Sequence, residues 1–120
     1  MGMKSKRKGY TAENQLVHLF RNSGVKAERC PLSGGAVGRW RGFDLLADMF
    51  GREFKIENKI QARGFKNLYD WLLPDTVDML VVRRDRAEPL VVITLEKFIE
   101  LHHHYESIAV SAGFVKIKGE

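Results

Sequence analysis

The stretch Asp44-Leu45-Leu46-Ala47-Asp48-Met49-Phe50-Gly51-Arg52-Glu53-Phe54-Lys55-Ile56-Glu57-Asn58-Lys59 decides how this chain folds. It predicts a β-hairpin. The first arm, residues 43–49, is mostly apolar. The second, residues 53–60, alternates strictly: Glu53, Lys55, Glu57 and Lys59 fall on one face, Phe54, Ile56, Asn58 and Ile60 on the other. A period of two marks a strand with unlike faces, and Gly51 marks the turn. With an even-numbered loop, facing residues have numbers that sum to 101, so Asp44 faces Glu57. Side chains so opposed share a sheet face, with Cβ atoms about 4.5–5.5 Å apart. Lys59 reaches the same place diagonally. Two opposed carboxylates need a positive charge between them, and an oxygen-rich pair suits Mg2+ or Mn2+. A solvated strand edge would show the same alternation, so the rest of the chain has to decide between the two.

Ahead of the hairpin, residues 10–23 predict a helix, with Thr11 as N-cap and Gly24 closing it. Leu16, Val17 and Phe20 form its apolar stripe, and Glu13 falls on that stripe. A carboxylate on a buried stripe is informative, although a glutamate also suits the positive first turn of a helix. Residues 25–31 predict a short strand in which Val25, Ala27 and Arg29 share a face. Residues 33–42 hold four glycines and predict a loop. It contains no phosphate-cradling glycine motif. Its tip, Arg39-Trp40-Arg41, joins charge for phosphates to a flat ring for stacking.

Beyond the hairpin, residues 64–73 predict a helix with Phe65, Leu68, Tyr69 and Leu72 on one stripe and Trp71 and Leu73 off it. Such a helix needs cover on more than one side. Residues 77–82 and 90–94 predict apolar strands suited to the interior of a sheet. A helix over 95–105 and a short strand over 114–117 complete the chain. The order up to that helix is α-β-β-β-α-β-β-α, which predicts a mixed α/β fold with a central mixed sheet flanked by helices.

A length of 120 residues is one domain's worth of chain, here taken as residues 1–120 with 1–8 as a flexible basic leader. The single cysteine, Cys30, permits no internal disulfide and fits a reducing compartment. No apolar run reaches the roughly 20 residues of a membrane helix, so no membrane partner is expected. The net charge of +5 and a pI of about 9.5 point to a polyanionic partner. The cations cluster: Lys6, Arg7 and Lys8 near the start, Arg39 and Arg41 around Trp40, and Arg63 and Lys66 after the hairpin. His102, His103 and His104 are consecutive, and neighbours in sequence do not converge on one ion. His18 reads as a surface residue.

Glu13, Ser33, Asp44 and Glu57-Asn58-Lys59 together resemble the PD-(D/E)XK nucleases, whose core is an Asp, a spacer, then Glu-x-Lys on the next strand. The chain is most similar to the archaeal-type Holliday junction resolvases. These carry a basic Lys/Arg-Lys-Gly segment (here Arg7-Lys8-Gly9), a helix-one glutamate (Glu13) and a Ser-Gly loop (Ser33-Gly34). Glu53-Phe54-Lys55 is a rival Glu-x-Lys, but Glu53 would face Asp48 instead of Asp44. Asn58 departs from the usual apolar residue between Glu and Lys, and Gly42-Phe43 replaces the proline before the Asp.

The resemblance implies a restriction-endonuclease-like core and a Mg2+-dependent endonuclease, with Mn2+ able to substitute. Asp44, Glu57 and the Asn58 carbonyl would hold the metal, with Glu13 at its water shell. Lys59 would activate water, and Ser33 would approach the scissile phosphate. Lys6, Arg7, Lys8, Ser33, Arg39, Trp40, Arg41, Arg63 and Lys66 would bind DNA, and Gln61 would support the site. The implied partner is a four-way DNA junction, cut by a homodimer in paired nicks that leave 5′-phosphates. The surplus apolar residues Phe65, Tyr69, Trp71 and Leu73 are candidates for the dimer interface, unless the core covers the helix. The setting expected is the cytoplasm of a prokaryotic cell or a virus-infected host. The alternatives are a small PD-(D/E)XK nuclease acting on duplex, flap or branched DNA, and a catalytically idle DNA-binding module.

Overall fold

The computed structural model describes residues 3–31, 42–73 and 75–113, with side chains from residue 10 onward. Its elements run α1 (Met3–Asn22), β1 (Ala27–Arg29), β2 (Leu45–Met49), β3 (Arg52–Ile56), α2 (Lys66–Trp71), β4 (Leu80–Val82), β5 (Leu90–Val92) and α3 (Leu95–Ser111). The chain divides into two compact units, Met1–Ile60 and Gln61–Glu120.

In the first unit, the hairpin predicted from alternation is present. Leu45 faces Ile56, Ala47 faces Phe54 and Met49 faces Arg52, the register set by an even-numbered loop. That loop is Phe50-Gly51, with φ of +53° and +75°. Positive φ at both central residues is the signature of the two-residue turn that matches strand twist. Phe50 tolerates a conformation that usually falls to Gly or Asn, and its ring meets Phe54 edge-on at 6.2 Å.

β1 adds to β2 on the other side, Ala27 facing Ala47 and Arg29 facing Leu45. β2 is therefore central in an antiparallel β1-β2-β3 sheet. That position explains why Leu45, Leu46, Ala47 and Met49 are all buried, while Asp48 alone on the strand is exposed. α1 packs on β1 and β2, burying Ala12, Val17 and Phe20 with Val25 and Ala27. Arg21 Nε donates to the Ala27 carbonyl at 2.9 Å. Val25 N–H donates to Phe20 C=O and Gly24 N–H to Arg21 C=O, with Gly24 at φ +83°. This is the paired-bond helix stop that a glycine after the last turn allows. Cys30, Phe43 and Leu46 form a cluster of their own.

α1 begins at Met3, seven residues before the predicted start. Lys4, Lys6, Arg7 and Lys8 are good helix formers, and residues 3–8 are part of the helix. Thr11 is consequently interior to the helix and not its cap.

In the second unit, α2 is only six residues long, and its preceding residue Phe65 has φ +66°. None of α2 is buried. β4 and β5 pair antiparallel, Leu80 facing Val92. The expectation of interior strands is not met, since Val81, Leu90 and Val91 are more than half exposed. Nor is the single central mixed sheet found: the described strands make two antiparallel sheets. Each observed pair joins strands that follow one another in sequence, a connection that gives antiparallel pairing. α3 is longer than predicted. Thr94 caps it by accepting from Lys97 N–H at 3.1 Å, and Ile99, His102 and Ala109 are its buried residues. Burial lowers the His102 pKa from the usual histidine value, with Glu106 acting in the opposite direction. The strand predicted over 114–117 lies outside the described residues.

Leu45 is fully buried at the centre of the three-stranded sheet. We expect Leu45→Ala to lower the stability of the residue 1–60 unit by about 2–5 kcal/mol, read as a lower urea midpoint. A midpoint unchanged from the wild type would contradict a central β2.

Candidate active site

Asp44 stands where β2 begins. The regular ladder ends at Leu45–Ile56, and Asp44 N–H bonds to the carbonyl of Ile56 at 2.8 Å instead of to Glu57. Two residues, Asp44 and Leu45, thus answer to Ile56, as at a β-bulge. Cys30 N–H donates to the Asp44 carbonyl at 2.8 Å. Asn58 N–H donates to Asp44 Oδ2, also at 2.8 Å. The predicted face-to-face pairing of Asp44 with Glu57 is therefore replaced by a side-chain bond one residue further on. β3 ends at Ile56, four residues short of the predicted arm, and Glu57-Asn58-Lys59 lies beyond the sheet with no regular structure.

Beyond β3 the alternation persists: Glu57 and Lys59 are exposed and Asn58 is half-buried. Lys59 Nζ lies 3.2 Å from Glu57 Oε1. The rival motif sits elsewhere. Glu53 faces Asp48 across the hairpin with both side chains exposed, and Lys55 Nζ lies over the Phe43 ring at 5.5 Å.

Glu13 reaches this corner from the helix. Because α1 starts at Met3, Glu13 is well past the first turn, and the positive helix terminus does not account for it. Its side chain is about one-fifth exposed, and Arg29 Nη1 approaches its Oε2 at 3.7 Å. The Arg29 guanidinium lies 4.3 Å from the centroid of the Tyr10 ring, within the range of cation–π attraction. Burial raises the Glu13 pKa above the usual carboxylate value, and the charge of Asp44 raises it further. Arg29 opposes both through its charge and a hydrogen bond. Two carboxyl groups and a held guanidinium therefore share the end of the sheet.

Arg29 and Tyr10 were not singled out from the sequence. The signal for Arg29 was present, because it alternates with Val25 and Ala27 on the face that packs against α1. A charge on an apolar face carries the same information as Glu13 on its stripe. Tyr10 offered no comparable signal.

Of the other expected residues, Ser33, Arg39, Trp40 and Arg41 lie outside the described residues, and the side chains of Lys6, Arg7 and Lys8 lie outside the described part of α1. Arg63 and Lys66 are exposed, and Lys66 pairs with Asp70 one helical turn on. Gln61 folds over Gly64, where an added Cβ would come 1.7 Å from its Oε1. Cys30 is buried, its Sγ 3.4 Å from the Pro31 carbonyl. His18 is exposed. No helix among the described residues is long and apolar enough to cross a membrane.

The sign of the Glu13 shift gives a pH dependence. Folding raises its pKa, so its contribution to stability is complete below the unfolded value near 4.5 and is lost as pH rises through the folded value. Glu13→Gln removes that loss. We expect the variant to gain stability over the wild type as pH rises from below 4.5 to neutrality, measured by urea denaturation across that range. A difference that does not change with pH would place the Glu13 carboxyl in solvent.

No curated protein and no solved structure matches the chain. The family model described as archaeal Holliday junction resolvase (hjc) matches residues 4–117. That span takes in Tyr10, Glu13, Arg29, Asp44 and Glu57-Asn58-Lys59, and all but a few terminal residues of the 120. The chain belongs to the archaeal Holliday junction resolvase family.

Proposed function

We propose that this chain is a divalent-metal-dependent endonuclease that resolves four-way DNA junctions by paired nicks leaving 5′-phosphates. Membership of the family makes it a Holliday junction nuclease of DNA recombination and repair that acts on branched DNA. The finer reading is carried by one observation: Glu13, Arg29 and Asp44 gather where Asn58 N–H binds the Asp44 carboxylate, beside Glu57 and Lys59.

The donor set suits a hard cation. The Asp44 and Glu57 carboxylates, the Asn58 carbonyl and the Glu13 carboxyl are all oxygens, the ligands that Mg2+ and Mn2+ take. Burial raises the Glu13 pKa and the charge of Asp44 raises it further, a repulsion that a cation would relieve. In this reading Asp44, Glu57 and the Asn58 carbonyl hold the ion, and Glu13 touches its water shell. When bound, the ion supplies polarisation of the scissile phosphate and a lowered pKa for an attacking water.

The chain's own groups do the rest. The hydrogen bond from Asn58 orients the Asp44 carboxylate. Lys59 positions the water and offsets developing negative charge. Arg29, stacked on Tyr10, offers a planar fork to a phosphate oxygen. Ser33 approaches the scissile phosphate. Lys6, Arg7, Lys8, Arg39, Trp40, Arg41, Arg63 and Lys66 follow the backbone, Lys66 by exchanging Asp70 for phosphate. Residues 1–120 act as one nuclease domain.

Two strands of a junction call for two sites, which a two-fold dimer supplies. Phe65, Tyr69, Trp71 and Leu73 are all more than two-fifths exposed. With Leu68, Leu72, Val92, Ile93 and Leu95 some of them line an apolar groove, the kind of surface a second copy would cover. We expect a dimeric mass by light scattering, and a change of Trp71→Glu to the monomeric mass. A wild-type mass of one chain would remove the dimer from this reading.

A synthetic four-way junction and a linear duplex of the same sequence, each with Mg2+ or EDTA, test the activity. We expect paired symmetric nicks on the junction with Mg2+ and none with EDTA. Asp44→Asn and Glu57→Gln should each lower cleavage by about 10²-fold or more, the scale of losing one positioned electrostatic group, while junction binding persists. Glu53→Gln should leave cleavage unchanged. Equal cutting of the duplex would favour the broader nuclease, and salt-sensitive binding without cutting would favour the idle module.

A further inference from the structure

α3 carries a second set of ligand-type side chains that the nuclease chemistry does not use. His102 and Glu106 are four residues apart, and His103 and Glu106 three, so both rings lie on the side of the helix that Glu106 occupies. Glu106 Oε1 lies 3.3 Å from His102 Nε2 and 3.4 Å from His103 Nδ1. The ring centroids are 5.4 Å apart and the planes tilted by 46°. One ligand atom from each of the three residues falls within 4.8 Å of the other two. Three consecutive histidines do not converge by themselves. Glu106 is what gathers two of them, and His104 lies outside the group.

His103 Nδ1 and Glu106 Oε1 at 3.4 Å are within reach of a long hydrogen bond, and an ion would take its place. Charge-assisted N–H···O bonds run at about 2.7–2.9 Å, shorter than either contact. Ligands bound tetrahedrally at about 2.0–2.1 Å stand apart by the edge of the tetrahedron, about 3.3–3.4 Å. Both contacts to Glu106 already have that length. The remaining separation, between the two imidazoles, closes by rotation of His103, whose side chain is nearly half exposed. His102, with only 5% of its side chain exposed, is the fixed ligand.

We propose that His102, His103 and Glu106 form a binding site for a borderline transition-metal ion of the Zn2+ class, with the fourth position open to water. Two imidazoles and one carboxylate suit Zn2+, whereas Mg2+ requires oxygen ligands and an octahedral arrangement. The site is independent of the nuclease reading. It clips one turn of α3 and stabilises the helix when the ion is bound.

Titration of the full chain with ZnCl2 by calorimetry, in a buffer containing excess Mg2+, tests the site. The expected result is one saturable Zn2+ site per chain and a rise in Tm on loading. His103→Ala and Glu106→Gln, both at partly exposed positions, should each weaken binding by at least roughly tenfold, the scale of losing a group that merely supports a ligand. Both should also abolish the Tm rise while keeping the wild-type circular dichroism. His104→Ala and Asp44→Asn should bind as the wild type does. The site is overturned if no saturable binding occurs, if His103→Ala and Glu106→Gln both bind normally, or if His104→Ala or Asp44→Asn removes the binding.

Discussion

Three hydrogen bonds meet at one residue, and the first unit is arranged around them. Cys30 N–H reaches the Asp44 carbonyl, Asp44 N–H reaches the Ile56 carbonyl, and Asn58 N–H reaches the Asp44 carboxylate. Asp44 is thereby tied to the end of β1, the end of β3 and the segment beyond β3. Its backbone is held on both sides, and its carboxylate accepts from one further backbone N–H, that of Asn58. In the proposed reading such fixing matters, because an ångström of misplacement is expensive in a positioned reaction. Glu13 and Arg29 approach the same corner from α1 and β1. Their mutual attraction offsets part of the repulsion between Glu13 and Asp44.

Much of the first unit was legible because its sequence is locally consistent. Strict alternation over residues 53–60, an apolar first arm and Gly51 specify the hairpin and its register. Gly24 specifies the end of α1. What could not be read was the start of α1, because lysines and arginines suit both a helix and a disordered tail. The second unit was less legible. Short apolar runs such as Leu80–Val82 and Leu90–Val92 look the same whether a strand is covered on two faces or one. Here Val81 and Leu90 are exposed, and hydrophobicity alone could not reveal that.

The candidate site shows the same division. Asp44, Glu57 and Lys59 were singled out by spacing, and Glu13 by its place on an apolar stripe. The bulge at Asp44 was invisible, since no glycine or proline marks it. It shifts the contact of Asp44 from Glu57 to the N–H of Asn58. That gives Asn58 a backbone role that does not depend on its side chain. Arg29 escaped notice although its alternation with Val25 and Ala27 put it on the helix-facing side of β1.

The turn at Phe50-Gly51 has a consequence for how the corner assembles. Only 14 positions separate Asn58 from Asp44, and the intervening chain is two paired strands and a two-residue loop. Contacts so local in sequence close with little loss of loop entropy, and hairpins of this kind form on a timescale of about 1–10 μs. The carboxylate and the segment that orients it can therefore meet before β1 or α1 has docked. Local topology favours early closure of the Asp44 corner, with the more distant Glu13 and Arg29 joining a hairpin already in register.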